Sequence, residues 1–399
     1  MRLAVNKLSG LRALRQARSV QGRLTGERVD LFVPDAAPQV RWTTKLLPLD
    51  TLALDAAPDA KRPLRVAVPD AKARLQADFA ASTVYSQGLP AESFIELEDG
   101  IAVSCPELAF VEAGTYMTPL AHILLGFELC GTYVRDARDA RCGNVAFGVE
   151  PATSVARIRA YIETAGHVRG SQRAKELLAY VADNAWSPME AVVAALAAIP
   201  TSEGGYGLGQ VLLNVRRPNS AVLVSLGCKE SRVPDIQVAG TRVGFNYDGR
   251  EHFELSEDNV ASRVADAQPR LDRNSREDHG STAEPSAASG RKSPNVAAMR
   301  AKYLDDLRRN RELAASGAVV LPVTSEDLFQ QGGLDTVMLE AVLLMEQSGE
   351  LKPAKARELK AAIRMPALRR ERQRIIWSLL PWDPGDAHAR QITLSLIHI

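Results

Sequence analysis

The run VPDIQVAGTRVGFNYDG, residues 233–249, sets Asp235, Asn246 and Asp248 on what reads as a single β-hairpin. With Ala239-Gly240 as a two-residue turn, Val238 faces Thr241 and Asp235 faces Gly244. Strand side chains alternate, so Asp235, Asn246 and Asp248 share one polar face while Val243, Phe245 and Tyr247 turn toward a core. Carboxylates gathered on one face could hold a Mg²⁺ ion and activate water against a phosphodiester. Asn246 could add a neutral carbonyl oxygen, but it removes one negative charge from such a site.

Other residues could complete this chemistry, and each has a plainer alternative. Glu190 is a candidate ligand to the same ion, yet Ser187-Pro188-Met189-Glu190 also satisfies a helix capping box, and one glutamate can serve both ends. Asp235 follows Pro234 at a strand start, where an aspartate is often merely solvated. Asp248-Gly249 also reads as an ordinary turn. His252 could act as general acid or base beside a metal; a lone exposed histidine usually does neither. No lysine stands two residues after Asn246, so Lys302 or Arg309 on a later helix would have to stabilise a charged transition state, unless they are solvated helix charges. Arg308 with Arg309, and Arg369 with Arg370, Arg372 and Arg374, are suited to phosphate contacts or to a solvated helix face.

The elements that would position these residues follow from hydrophobic patterning. Residues 1–60 give a short helical pattern at 8–17 and a strand at 29–33, without a clear fold. LRVAV from Leu64 and STVYS from Ser82 read as strands. Residues 94–97 and 101–103 form a hairpin across Asp99-Gly100. Ser104-Cys105-Pro106-Glu107 reads as a capping box with Ser104 as the cap, starting a helix that turns Leu108, Val111 and Ala113 inward. Further helices are expected at 119–130, 154–165 and 171–183, then a buried Ala/Val-rich helix at 188–198. Strands follow at 211–215 and 222–224. Residues 266–295 have the Ser, Asp, Pro and Gly composition of a disordered insertion. Beyond it come a helix at 296–315 with Met299, Tyr303, Leu307 and Leu313 on one stripe, a strand at 318–323, and helices at 334–348 and 353–379. This order implies an α/β chain, mixed α+β, in which a mixed sheet is flanked by helices and preceded by a small α+β module. The division expected is 1–60, 61–183, 184–330 and 331–393.

From about residue 187 to residue 323 the chain resembles the restriction-endonuclease-like PD-(D/E)XK superfamily, in the branch similar to very short patch repair endonucleases. That branch has a helix glutamate, a strand aspartate, an E-x-D-G-x-x-H stretch, a helix bearing R-R-[DN] and a short apolar strand. Glu190, Asp235, Asp248 with Gly249 and His252, and Arg308-Arg309-Asn310 match these in order. Asn246 departs from the pattern, standing where the family has glutamate. Residues 99–107, DGIAVSCPE, resemble a segment of AbiEi-type antitoxin domains. The resemblances imply a bacterial protein that binds nucleic acid, DNA rather than RNA. A cytoplasmic one is expected because residues 191–199, the longest strongly apolar run, are too short to span a bilayer and residues near Arg2 and Lys7 lack the apolar core of a signal peptide. If active, it would be a Mg²⁺-dependent endonuclease with Glu190, Asp235 and Asp248 at the metal. The alternative they leave open is a non-catalytic, antitoxin-like regulator or scaffold with a protein partner.

Bulk composition fits a protein with sizeable cores: 399 residues, 46% of them apolar, with a formal charge of +1. Such a charge offers no global attraction to a polyanion, so any nucleic-acid contact must be local. Cys105, Cys130, Cys142 and Cys228 are widely spaced without a C-x-x-C pair, against a disulfide framework or structural zinc and in favour of buried reduced thiols. No apolar run is long enough to span a bilayer, and no membrane partner is expected. LSLIHI, residues 394–399, reads as a translated sequencing adapter and is set aside from fold reasoning.

Overall fold

The computed structural model describes residues 2–34, 43–98, 100–248 and 296–380. Expectations for His252, for the insertion at 266–295 and for the tail at 394–399 lie outside these residues. The fold is mixed α/β, as the patterning implies.

The N-terminal elements are β1 (Leu3–Val5), α1 (Lys7–Gln21), β2 (Arg28–Val29), β3 (Leu64–Val68), β4 (Ala80–Val84), β5 (Phe94–Glu98) and β6 (Ile101–Ser104). They build a six-stranded sheet in the order β2-β5-β6-β1-β3-β4. β1 runs parallel to β6 and antiparallel to β3, so residues expected to lack a clear fold supply a central strand. Leu3, Ala4 and Val5 are wholly buried there, which only a strand paired on both sides allows without orphaned backbone groups. α2 (Pro106–Ala113), α3 (Pro119–Cys130), the ribbon β7 (Tyr133–Val134) with β8 (Ala146–Phe147), α4 (Val155–Thr164) and α5 (Ser171–Leu178) complete this part. Arg15 of α1 grips Glu128 of α3 through two bonds of 2.8 and 2.6 Å. Arg18 donates to the carbonyls of Glu128 and Gly131, satisfying acceptors left where α3 ends, and to that of Glu150 after β8.

The expected capping box at residue 104 does not form. Ser104 is still extended as the last residue of β6, Cys105 occupies the cap without a side-chain bond, and Pro106 begins α2. Glu107 turns instead to Thr153 Oγ1 at 2.6 Å and to Arg28 at 2.9 Å. A buried ion pair competes successfully with the local cap. Of the four cysteines, all free, Cys105 and Cys130 are buried, Cys228 is half-buried and Cys142 is exposed.

The C-terminal elements are α6 (Pro188–Ala198), β9 (Val211–Leu213), β10 (Arg217–Pro218), α7 (Ala221–Ser225), β11 (Ser231–Arg232), β12 (Ile236–Val238), β13 (Val243–Asp248), α8 (Val296–Ala315) and β14 (Val319–Thr324), followed by α9 (Ser325–Phe329), α10 (Gly333–Gln347), α11 (Pro353–Arg364) and α12 (Pro366–Leu379). A four-stranded mixed sheet has the order β14-β13-β12-β9, with β13 and β14 parallel and the other pairs antiparallel. The run expected as a strand at 222–224 is the short helix α7, capped by Ser220. A brief apolar run carries no period that separates strand from helix, and here the cap decides. The helical stretch expected at 353–379 is two helices. Pro366 forces Met365 to an extended ψ of 118° and starts α12. Of the apolar stripe expected on α8, the side chains of Met299 and Tyr303 lie outside the described residues, Leu313 is buried and Leu307 is 44% exposed. Polar Asn310 and Glu312 face the interior, each hydrogen-bonded to partners on the sheet side. One cluster of buried apolar side chains runs from Leu3 to Leu380 and joins both sheets.

Candidate functional site

The hairpin forms, but its register differs from the expected one. Ile236 pairs with Phe245 and Gln237 with Gly244, which puts residues 239–242 in the connection and Asp235 across from Asn246 rather than Gly244. Gly240 takes a left-handed φ of 75° in that turn. Gly244 is needed for close approach, since a Cβ there would lie 2.5 Å from Ile236 O. The slip is by two residues. Because side chains alternate with period two, an even slip preserves the face, and Asp235, Asn246 and Asp248 remain together.

That face is not open. Asn246 is 1% exposed and both ends of its amide are engaged: Oδ1 accepts the Asp235 backbone N–H at 3.0 Å, and Nδ2 donates to Asn310 Oδ1 on α8 at 3.3 Å. Asp235 Oδ2 accepts the Tyr247 backbone N–H at 2.8 Å. The two residues therefore staple the ends of β12 and β13 reciprocally. Asn246 does not offer its oxygen outward, contrary to the expectation that it could serve a metal.

Glu190 reaches the same neighbourhood from α6 and is 8% exposed. Ser187 Oγ accepts the Glu190 N–H at 3.2 Å, so the helix cap is present. The carboxylate, however, binds the Trp186 N–H at 3.1 Å, one residue before the cap, and Asn214 Nδ2 at 3.0 Å. Asn214 itself holds a φ of 51°, a left-handed geometry that asparagine tolerates better than most residues. Its N–H donates to Asp235 O at 3.0 Å, linking the turn after β9 to the acidic pair. Asn310 enters the sequence reading only as the last residue of the R-R-[DN] match, with no contact expected of it, and Asn214 carries no local signal that marks it.

Electrostatics bind the cluster into one unit. Burial first, then the charge of Glu190, pushes the Asp235 carboxyl up to about 7, with Asp248 adding and with the Tyr247 N–H and Arg309 opposing. Burial also raises Glu190, against the bonds from Asn214, Trp186 and Ser187. Glu190, Asp235, Asp248 and Arg309 are thus brought together from four elements. Arg309 is 20% exposed and pairs with Asp306 at 3.4 Å. Among the described residues no three His, Cys, Asp or Glu side chains gather so as to hold a metal ion. With Asn246 turned inward, the described donors do not fit Mg²⁺.

The other candidates lie elsewhere. Arg308 is exposed and lines a groove of about 630 Å³ with Lys229, Arg311 and Asp305. The basic run on α12 is largely structural. Arg372, with its side chain 1% exposed, and Arg369 both bind Asp335, at 2.7 and 3.0 Å. Tyr206 donates its hydroxyl to the same carboxylate at 3.0 Å. Arg374 lies 3.8 Å from Glu371, while Arg370 is exposed. The side chain of Lys302 is outside the described residues. No described helix is long and apolar enough to cross a membrane.

Comparison with protein-family models, with curated proteins and with solved structures returned no match.

Proposed function

We propose that residues 187–324 form a restriction-endonuclease-like core that has kept its architecture, lost hydrolysis and acts as a DNA-binding module beside an antitoxin-like N-terminal part. The order α6, β9, β12, β13, α8, β14 supports the core. It carries the helix glutamate, strand aspartate, second acidic position, arginine helix and apolar strand in the family's sequence. The inward-facing Asn246 carries the loss of hydrolysis. Metal-activated water requires carboxylates aimed at one ion, and here the central position spends both ends of its amide on Asp235 and Asn310. Exposed Arg308 and Arg311 supply local positive charge on a near-neutral chain, beside Lys229, which pairs with Asp305.

The test combines cleavage and retardation of single-stranded, double-stranded and mismatched DNA in Mg²⁺ or Mn²⁺. Wild type is expected to retard DNA in a salt-dependent way without cutting it, and R308E/R311E to lose retardation. Asn246→Glu adds a carboxylate to a crowded acidic site. It is expected to lower the Tm in chelator and to regain it with Mn²⁺, a cation response that wild type lacks. Wild-type cleavage abolished by Asp235→Ala would identify a working enzyme instead. Absence of both cutting and retardation would favour a protein-interaction scaffold, the reading that Val222 and Leu226, 68% and 76% exposed on and beside α7, also support.

A further inference from the structure

A second constellation of charged groups lies in the N-terminal part, where β1 hands over to α1. Glu112 on α2 is 1% exposed, and both its oxygens are engaged. Oε1 accepts from the Tyr85 hydroxyl and from Asn6 Nδ2 at 3.1 Å, and Oε2 accepts the Lys7 backbone N–H at 2.9 Å. Asn6 is the N-cap residue of α1, but its Nδ2 donates to Glu112 and Tyr85, an orientation that leaves the buried Oδ1 without a partner, and the fifteen-residue helix starts without a side-chain cap. Lys7 is held at a φ of 50°, a strained geometry for a lysine, fixed by this network.

A cavity of about 330 Å³ opens at this junction, lined by Lys7, Tyr85, Gly88, Glu112, His167 and Arg169 among others. His167 Nε2 lies 3.0 Å from Gly88 O, closing the rim between the β4–β5 turn and the α4–α5 connection. Glu112 keeps its negative charge and offsets one of the two cations that line the cavity, so Lys7 and Arg169 leave it net positive beside the N-terminal end of α1. Burial holds the Lys7 ammonium below the ordinary lysine range; Glu112 opposes this and Arg65 and Arg169 reinforce it, an imbalance that an added anion would relieve.

We propose that this cavity binds a small ligand carrying a phosphate monoester, with Lys7 and Arg169 on the phosphate and the Asn6–Tyr85–Glu112 network holding Lys7 in position. The volume lies at the lower end of small-ligand sites, matching a ligand no larger than a mononucleotide. A phosphate oxygen fork, rather than a single carboxylate, can engage both cations of the lining and still outcompete the offset from Glu112. The inference does not depend on the reading of the C-terminal core.

The experiment follows the Tm of the full chain against inorganic phosphate, adenosine 5′-monophosphate and adenosine at constant ionic strength. Wild type should show a saturable rise with both phosphate compounds and none with adenosine. A tighter response to the nucleotide would mark a nucleotide ligand, and an equal response would mark recognition of the phosphate alone. Lys7→Gly removes the ammonium and relieves the positive φ, so it should keep or raise the ligand-free Tm while abolishing the saturable rise. Arg169→Gln, at an exposed position, should fold normally and weaken binding about tenfold, the scale of one charge-assisted contact. The proposal fails if wild type shows no saturable rise. It fails equally if both variants respond like wild type, as a general effect of excluded salt would produce, or if adenosine acts like the nucleotide.

Discussion

At the scale of single residues, the acidic pair is defined by what surrounds it. Asp235 titrates near 7 in the fold against an ordinary 3.8, so ionising it opposes folding. The penalty is absent below about pH 4, grows as pH rises, and is complete above about pH 7. At 1.36 kcal/mol per unit the ceiling is roughly 4 kcal/mol, and partial solvent screening brings the expected effect to about 2 kcal/mol. Asp235→Asn retains an oxygen for the Tyr247 N–H and should therefore flatten the fall in stability across that window. Urea denaturation at a series of pH values checks this, and an unchanged slope would mean that Asp235 is ionised throughout. Glu190, raised by burial, should leave a residual slope of the same sign.

At the scale of elements, charge pins α8 to the strands beside it. Arg232 on β11 forms a two-bond pair with Glu312 at 2.7 and 2.8 Å and a further bond to Asp305 at 2.9 Å. This pairing holds the Glu312 carboxyl down at about 2, so its contribution is present above the usual carboxylate range and is lost as pH falls toward 2. Arg232→Ala would leave Glu312, at the wall of the groove, held by Asn219 and is expected to cost about 2 kcal/mol. The double change R232M/E312L, which removes both charges, should recover much of that loss, as read from urea midpoints. Equal destabilisation in the single and double variants would show that packing, not the ion pair, secures the helix. Since α8 also carries Arg309 and Asn310, loosening it should disturb the Asp235–Asn246 staple.

Across the whole molecule, β1 is the keystone that patterning did not reveal. Three apolar residues are too few to display an alternation, and their meaning comes from β3 and β6, which follow in the chain by some sixty and a hundred residues. Ala4→Asp would bury an unpaired carboxylate in the centre of the six-stranded sheet and should cost more than about 4 kcal/mol. Because the apolar core is continuous between the two sheets, the loss should register as one broad collapse in circular dichroism and proteolysis. Survival of a protease-resistant C-terminal fragment with native-like structure would show that the two parts fold separately.

Sequence alone determined the elements with strong local periods or caps. The Ala/Val helix after Ser187, α8, the paired runs at Leu64 and Phe94, and the shared face of Asp235, Asn246 and Asp248 follow from patterns spanning a few residues. That shared face survived a wrong register because only an odd slip could have broken it. Tertiary structure decided how those residues are used. It turned the amide of Asn246 inward, carried Glu107 away from its cap to Arg28 and Thr153, enclosed Arg372 against Asp335, and supplied Asn214 and Asn310 to the acidic cluster. The physical reason is that a side chain's polar partners are chosen by whatever distant segment packs against it once water is excluded. A buried polar group without a partner costs as much as the local motif could gain.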